Sequence, residues 1–142
     1  MSGGFLSYRG AVYPWQCDHM GHMNVMWYVG KFDEATWNFF AELGLTRAYL
    51  QANGRGMAAV EQVIQYKKEL MAGDTVAVHS AVVDIKEKVL RFSHEMRNTQ
   101  SGEVAATTAL TAAFLDTAAR KAARFPAEIQ ARAGKGLGWA NG

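Results

Sequence analysis

The clearest pattern in the chain is an apolar stripe of helical period that begins at residue 25. Apolar residues recur at steps of three and four, which is the spacing of one face of an α-helix. The stripe consists of Val25, Tyr28, Phe32, Ala35, Phe39 and Leu43, and a polar stripe consists of Lys31, Glu34, Asn38 and Glu42. Asn24 is a typical N-cap, and Gly44 lies where a glycine commonly ends a helix. Trp37 and Phe40 widen the apolar face, so this helix is expected to be buried on most sides.

Alternating patterns typical of β-strands occupy most of the remaining chain. One covers residues 7–14 and ends at a proline, and four more cover residues 57–69, 75–86, 88–98 and 103–115. In the segment 75–86 the alternation slips by one residue, which predicts a β-bulge. Pro126 is expected to open a short terminal helix. Short turns between the last four strands predict antiparallel pairing.

This order of elements predicts a single α+β domain. One long apolar helix and one antiparallel sheet form a single-layer α+β fold in which the sheet curls over the helix. The domain is expected to cover residues 1–134, since the chain of 142 residues has the usual length of one domain. The glycine-rich residues 135–142 are expected to form a disordered tail.

Composition and charge add mainly exclusions. Fifteen basic and thirteen acidic residues give a net charge of +2, which does not favour a nucleic-acid partner. The single Cys17 excludes an internal disulfide and fits a reducing compartment. No segment approaches the roughly 20 apolar residues of a membrane span, and the N-terminus lacks a signal-peptide pattern. The sequence therefore predicts a cytoplasmic protein without a membrane partner.

The densest polar chemistry lies directly before the helix, in "CDHMGHMN", residues 17–24. A helix start carries unpaired N–H groups and partial positive charge, and the first two turns here contain no Asp or Glu to occupy that field. Asp18 lies on a loop that Gly21 allows to turn sharply. A carboxylate facing an oxyanion site is the arrangement that acyl transfer requires. The alternative is a structural role, in which Asp18 accepts hydrogen bonds from loop amides.

The histidines of this loop also fit more than one role. Cys17, His19 and His22 are ligand types for zinc, but a closed site requires four ligands and no fourth is placed by the pattern. We therefore predict no metal, with His22 as a hydrogen-bonding residue beside the site and His19 exposed. His94 lies on the apolar face of its strand and is expected to be a hydrogen-bonded core histidine.

In the loop before the helix and in two later segments, the sequence resembles the hotdog-fold acyl-CoA thioesterases of the 4-hydroxybenzoyl-CoA thioesterase type. The similar segments are "CDHMGHMN" with Tyr28, "IQYKKELMAGDTVAV" and "TTALTAAFLD", and the resemblance runs from about residue 8 to 130. It implies a five-stranded antiparallel sheet wrapped around the central helix, and a homodimer or homotetramer with shared active sites. It also implies that Asp18 is nucleophile or general base, and that N–H groups near Asn24 and Val25 polarise the thioester carbonyl without a cofactor.

An acyl-CoA substrate is a long anion, so basic residues are expected at the mouth of the pocket. Lys67, Lys68 and Arg91 are the candidates for binding the CoA phosphates. Two alternatives to hydrolysis stay open: a hotdog hydratase or dehydratase that pairs His22 with Asp18, and a non-catalytic acyl-CoA binding protein. The sequence does not decide whether the acyl group is of medium length, aromatic or cationic. A cationic acyl group with a quaternary ammonium would pack on Trp15 or Trp27.

Overall fold

The structure, a computed structural model, describes residues 4–136. Its strands are β1 (Phe5–Ala11), β2 (Arg55–Tyr66), β3 (Thr75–Ile85), β4 (Val89–Asn98), β5 (Val104–Asp116) and the short β6 (Lys121–Ala122). Its helices are α1 (Val25–Glu42), α2 (Arg47–Ala52) and α3 (Ala127–Gly136), and one 3-10 turn covers Pro14–Gln16. The predicted order of one long helix, four successive strands and a terminal helix is confirmed. The short α2 and β6 were not predicted.

The strands form one antiparallel sheet that curls around α1. Its order is β1-β3-β4-β5-β2, and β6 pairs with the end of β5. β1 and β2 are therefore the edges of the sheet. The register of β3 against β4 shifts between Val82 and Asp84, which is the bulge that the broken alternation predicted. The predicted α+β architecture, with five main strands around a central helix, is confirmed.

The ends of α1 are formed by the residues that the sequence indicated. The Asn24 side chain accepts a hydrogen bond from the Met26 N–H at 3.0 Å, which makes it the N-cap. Gly44 follows the C-cap with a φ of +94°, a left-handed conformation that favours glycine. Between these ends, Phe32 and Phe39 are fully buried against the inner face of the sheet. The cap and this burial fix where the helix starts and which way it faces.

Lys31 departs from its predicted place on an exposed polar stripe. It is only 2% exposed, and its ammonium donates hydrogen bonds to the Ala11 carbonyl at 3.1 Å and to the Tyr8 hydroxyl at 3.3 Å. Burial lowers the pKa of Lys31. Instead, the solvent-exposed face of α1 carries Met26 and Trp37. Lys31 is buried because β1 covers its side of the helix. The expectation that the helix is buried on most sides was wrong, because the face that carries Met26 and Trp37 is exposed.

A chain of buried hydrogen bonds crosses the core between the sheet and α1. Ser7 Oγ lies 2.6 Å from Ser80 Oγ, Ser80 Oγ lies 2.6 Å from His94 Nδ1, and His94 Nε2 lies 2.8 Å from Thr36 Oγ1. At its two ends, Ser7 donates to the Val78 carbonyl and Thr36 to the Phe32 carbonyl. Burial lowers the pKa of His94 to about 3, so the ring is neutral. His94 is the hydrogen-bonded core histidine that was expected.

The terminal helix runs slightly past the residue at which the tail was expected to begin. α3 continues through Gly136, so residues 135 and 136, which were expected to belong to the tail, are helical. The rest of the predicted tail, residues 137–142, lies outside the described residues. Within the described part of the chain, no helix is long and apolar enough to cross a membrane.

Candidate active site

A pocket of about 250 Å³ lies at the start of α1, and we call it the helix-start pocket. Five of the predicted site residues line it: Asp18, His22, Val25, Lys67 and Lys68. They come from the loop before α1, from the helix itself and from the segment after β2. The fold therefore brings together residues that are about 50 positions apart in the sequence. Tyr28, Tyr66 and Glu69 complete the polar part of its lining.

The loop that carries Asp18 is a tight turn tied to the rest of the fold. The Asp18 N–H donates to the His22 carbonyl at 2.9 Å, and the Gly21 N–H donates to the Asp18 carbonyl at 3.0 Å. Gly21 has a φ of +88°, which a residue with a side chain rarely adopts. The Met23 N–H donates to the Leu70 carbonyl at 2.7 Å. These bonds hold the loop against the segment after β2.

Asp18 uses one of its two carboxylate oxygens to stabilise this turn. Its Oδ1 accepts a hydrogen bond from the Met20 N–H at 2.9 Å. No donor within residues 4–136 contacts the other oxygen. The side chain is half-buried and lines the pocket. One oxygen is thus fixed by the loop, while the other is available to a water molecule or a substrate.

The start of α1 offers one unused donor to the same pocket. The Met26 N–H is capped by the Asn24 side chain, and the Trp27 N–H donates to the Asn24 carbonyl at 2.9 Å. The Val25 N–H has no acceptor in the described part of the chain, and Val25 lines the pocket. The N–H of Asn24 donates to the Gln16 carbonyl at 2.8 Å. The structure therefore leaves Val25 as the donor, and Asn24 positions it as the cap.

His22 is paired with an acid that the sequence did not single out. Its Nδ1 lies 3.0 Å from Glu69 Oε2, so its partner is Glu69 and not Asp18, the partner that the hydratase alternative required. The available signal was the position of Glu69 directly after Lys67 and Lys68 in the segment "YKKEL". Pairing across two distant segments depends on how the loop packs on β2, which no local pattern encodes.

Two tyrosines form the aromatic wall of the helix-start pocket. The rings of Tyr28 and Tyr66 meet edge to face, with centroids 5.2 Å apart. The Tyr28 hydroxyl donates to the Lys68 carbonyl at 3.0 Å. Burial, together with the nearby Glu69 carboxylate, raises the pKa of Tyr28. Tyr28 is therefore a neutral hydrogen-bonding residue at physiological pH and joins α1 to the basic segment.

The predicted basic residues divide between two places. Lys67 and Lys68 are exposed at the pocket, and the backbone N–H of each donates to the Ala105 carbonyl. Arg91 forms two hydrogen bonds with Asp84, at 2.9 and 3.2 Å. In the sheet register, Arg91 lies opposite Thr111, whereas Tyr66 lies opposite Ala106, five residues along the same strand. Within one chain, Arg91 is thus not brought to the helix-start pocket.

A second pocket, of about 400 Å³, lies between α1 and the inner face of the sheet, and we call it the α1–sheet pocket. Its walls are mainly apolar and include Met26, Phe40 and Phe92. Its polar members are Asp33, Thr36 and Gln62. A mainly apolar cavity with a few polar groups is the usual form of a small-molecule site.

The described residues contain no group of three or more His, Cys, Asp or Glu side chains placed to hold a metal ion. The chemistry available at the helix-start pocket is therefore that of a carboxylate, a backbone N–H and a His–Glu pair.

A model of the thioesterase-like superfamily matches residues 12–133. The chain belongs to the thioesterase-like superfamily. This membership confirms the resemblance found in the sequence, and with it thioester hydrolysis as the class of reaction.

Two curated relatives of this thioesterase-superfamily chain are thioesterases by name. The betainyl-CoA thioesterase of Pseudomonas aeruginosa is 25% identical over 132 residues, which cover 93% of this chain and 83% of the relative. The L-carnitine dehydrogenase/betainyl-CoA thioesterase of Agrobacterium fabrum is 29% identical over 109 residues, which cover 77% of this chain. The aligned part spans only 22% of that second relative.

Solved structures show the same fold. A hypothetical protein from Staphylococcus aureus in complex with CoA superimposes with a TM-score of 0.88 at 20% identity, covering 94% of this chain and 85% of its own. The 1,4-dihydroxy-2-naphthoyl-CoA thioesterase from Synechocystis superimposes with a TM-score of 0.79 at 16% identity, covering 90% and 94%. The hotdog fold predicted for this thioesterase-superfamily chain is thereby confirmed.

Proposed function

We propose that this protein hydrolyses acyl-CoA thioesters in the helix-start pocket. Asp18 acts as nucleophile or general base, and the Val25 N–H stabilises the oxyanion. As a general base, Asp18 removes a proton from water as the water oxygen attacks the carbonyl carbon. The tetrahedral oxyanion accepts a hydrogen bond from Val25, and collapse of the intermediate breaks the C–S bond. CoA leaves as a thiolate and takes up a proton, and the acyl group leaves as a free acid.

The observation that carries this proposal is the pairing of a free carboxylate oxygen with a free helix-start N–H in one pocket. Asp18 has one oxygen without a protein donor, and Val25 has an N–H without a protein acceptor, within residues 4–136. No acid in the first turn of α1 competes for the positive field of the helix start. An oxyanion donor of this kind contributes about 10²–10³ in turnover.

Lys67 and Lys68 are proposed to bind the phosphates of CoA at the rim of this pocket. Lys68 lies 3.5 Å from Glu103, and both side chains are more than half exposed, so this ion pair exchanges readily for a phosphate. The Staphylococcus aureus protein of the same fold was solved with CoA bound, which supports a CoA site in this architecture. Arg91 is proposed only as a contact supplied to the site of a second subunit.

The test is the substitution Asp18→Asn, which keeps the shape of the side chain and removes its charge. We expect turnover of an acyl-CoA panel to fall by about 10²–10⁴-fold, with a nearly unchanged Tm. The matched control is Asp116→Asn, because Asp116 also accepts backbone hydrogen bonds in a turn, from Ala118 and Ala119. That control should lower the Tm, because Asp116 also loses its ion pair with Arg55 at 3.3 Å, and keep the turnover per folded molecule.

The reverse result, a fully active Asp18→Asn with a lowered Tm, would show that Asp18 only stabilises its loop. If Asp18→Asn instead loses turnover, a single turnover of the unaltered protein in heavy-oxygen water tests which of the two catalytic roles Asp18 has. Heavy oxygen in the Asp18 carboxylate after digestion of the protein identifies a nucleophile, because it enters when water attacks the Asp18 carbonyl of the mixed anhydride. Trapping of that anhydride with hydroxylamine, which converts Asp18 or the acyl group into a hydroxamate, detects a nucleophile also when water attacks the acyl carbonyl, whereas a general base gives neither signal on Asp18 nor a trapped anhydride.

We also propose that the protein is a homodimer through the edge of β2, or a tetramer built from such dimers. β2 has 12 residues, its outer edge pairs with no other strand of the described chain, and Val60 and Val63 are exposed on it. A long apolar edge strand is a template for pairing with a second copy. Two-fold pairing makes the strands antiparallel, so the Tyr66 end of one β2 faces the Arg55 end of the other.

For the acyl group, we propose a short acyl chain that carries a quaternary ammonium. Both curated relatives carry betainyl-CoA thioesterase in their names, and one of them aligns over nearly the whole chain. A betainyl group has a trimethylammonium two bonds from the carbonyl carbon. The sequence left open a cationic acyl group beside Trp15 or Trp27, and the relatives favour the cationic class.

A hydratase is the second candidate, because His22 has an acidic partner 3.0 Å away in the same pocket. A His–Glu pair is suited to proton transfer on an unsaturated acyl chain. The two reactions differ in their products, since a hydratase keeps the thioester bond and a thioesterase releases a free thiol. A thiol reagent added to the reaction separates them, and it also identifies a protein that only binds acyl-CoA.

A further inference from the structure

One stripe of α1 combines a gap, a carboxylate and an indole ring. Met26, Gly30, Asp33 and Trp37 follow each other at steps of four, three and four residues, so they lie on one face of the helix. All four line the α1–sheet pocket. Gly30 is the only glycine within α1. The stripe is therefore apolar except at Asp33, and open at Gly30.

The gap at Gly30 is not required by the packing of the protein. A Cβ placed there would have only one neighbour within 4 Å, the Trp27 ring at 3.7 Å, which is an ordinary contact. Glycine inside a helix lowers stability relative to alanine, so a free choice would favour alanine. Helical side chains lean toward the N-terminus of their helix, which brings Asp33 and Trp37 back over the turn of Gly30. The open volume lies beneath a carboxylate and an aromatic ring.

Asp33 is available to bind a charged group. Its side chain is exposed, and it has no hydrogen bond or ion pair within residues 4–136. The Trp37 ring is 47% exposed and meets the ring of Phe40 edge to face, with centroids 5.4 Å apart. Phe40 meets Phe92 in the same way at 5.3 Å. A free carboxylate thus borders a connected set of aromatic rings.

These groups match the chemistry of a quaternary ammonium. Such a cation has no N–H to donate, so proteins bind it with aromatic faces and with full negative charges placed nearby. By contrast, Trp15 and Trp27 lie edge to face at 5.0 Å and line neither of the two pockets described above. The α1–sheet pocket has both the rings and the carboxylate.

We propose that Asp33 and Trp37, with the gap at Gly30, bind the quaternary ammonium of the acyl group and set the acyl specificity of the enzyme. This assignment rests on the proposed thioester hydrolysis. Asp33 lies eight residues after Val25, which corresponds to about 12 Å along the helix axis. A betainyl group is too short for that distance, so the cation site serves the Asp18 of a second subunit. In the proposed antiparallel pairing, the Arg55 end of β2 faces the Tyr66 end of its copy, so the Met57 side of this pocket is directed toward the partner's helix-start pocket.

The test compares two thioesters of the same shape and different charge. Betainyl-CoA carries the trimethylammonium, and tert-butylacetyl-CoA has a carbon atom in place of the nitrogen. We expect the unaltered protein to prefer betainyl-CoA by about tenfold or more in kcat/KM, the range of a cation–π contact assisted by a carboxylate. Asp33→Asn should remove most of this preference, because it lowers kcat/KM for betainyl-CoA much more than for the neutral thioester.

Matched variants separate charge from shape. Glu34→Gln removes the neighbouring carboxylate of α1, which does not line the pocket, and should leave both substrates within about twofold. Gly30→Leu fills the gap and should lower kcat/KM for both. Gly134→Leu is its control, because Gly134 lies in α3 with nothing within 4 Å of an added Cβ.

Equal kcat/KM for the two thioesters, or an Asp33→Asn variant that loses both equally, would overturn the cation site. A Gly30→Leu variant that retains both activities would also overturn it, because the gap would then not be needed to bind the acyl group. Failure to release thiol from either substrate and from the wider acyl-CoA panel would instead contradict the proposed function.

Discussion

Burial of the His94 ring makes the stability of the fold depend on acid. His94 is 2% exposed, and burial lowers its pKa from 6.5 to about 3. Between these two pH values the unfolded chain binds a proton that the folded chain does not. The free energy of unfolding therefore falls as the pH falls through this window. We expect His94 alone to contribute a slope of up to about 1.4 kcal/mol per pH unit, measured by urea denaturation between pH 6.5 and 4.

The control for this prediction is His19→Gln, which changes an exposed loop histidine and should leave the slope unchanged. His94→Asn should lower stability at neutral pH but flatten the slope, because it removes the buried imidazole that binds a proton only in the unfolded chain. An unfolding free energy that does not vary between pH 6.5 and 4 in the unaltered protein would contradict a neutral, buried His94.

At the level of single residues, the sequence predicted what local chemistry decides. The loop before α1 turns at Gly21 and is capped by Asn24, and each residue type is typical of that role. The partner of His22 is Glu69, 47 positions away in the chain, and the sheet decides that pairing. The separation of Arg91 from the helix-start pocket is likewise set by strand register, which a one-residue slip would change.

Among the elements, the start of α1 links folding to the proposed chemistry. The Asn24 side chain holds the Met26 N–H, and the Thr46 side chain holds the Tyr49 N–H at the start of α2. Asn24→Ala and Thr46→Ala should each lower the free energy of unfolding by about 1 kcal/mol. Only Asn24→Ala should also lower kcat, because it loosens the turn that carries the Val25 N–H. Equal kcat in the two variants would exclude a role of this helix start in turnover.

The bounds of α1 and the bulge in β3 were predictable because each leaves a periodic signal in its own segment. The burial of Lys31 was not, since it depends on β1, a strand 20 residues earlier, whose Ala11 carbonyl receives the ammonium. The six residues of α2 are too few to display a helical period. The period of apolar residues predicts which face of an element packs on the core, but it does not predict which other element covers the remaining faces.

For the whole molecule, the distance between Val25 and Asp33 predicts a site shared between two subunits. We expect light scattering to show a dimer or a larger assembly. Each of the two variants, Asp18→Asn and Asp33→Asn, is expected to impair the turnover of betainyl-CoA when it is the only variant in the dimer. In mixed dimers of the two variants, a shared site leaves one intact active site per dimer. Subunit exchange at equal concentrations should therefore restore roughly a quarter of the unaltered activity, since half of the dimers are mixed.

The control mixes each variant with itself under the same exchange conditions, which should restore nothing. A lack of restoration despite demonstrated exchange would place Asp18 and Asp33 in the site of one subunit. A stable monomer at micromolar concentration would contradict the shared site directly.

The buried chain from Ser7 to Thr36 has fewer hydrogen atoms than links. Ser7, Ser80 and Thr36 each supply one hydroxyl hydrogen and the neutral His94 ring supplies one N–H, but the chain and its two carbonyl ends make five contacts. One link is always without a hydrogen. The same heavy-atom positions are then compatible with more than one order of protons. Reversing that order exchanges the tautomer of His94 and rotates the hydroxyl of Thr36, while the heavy atoms of the core keep their positions.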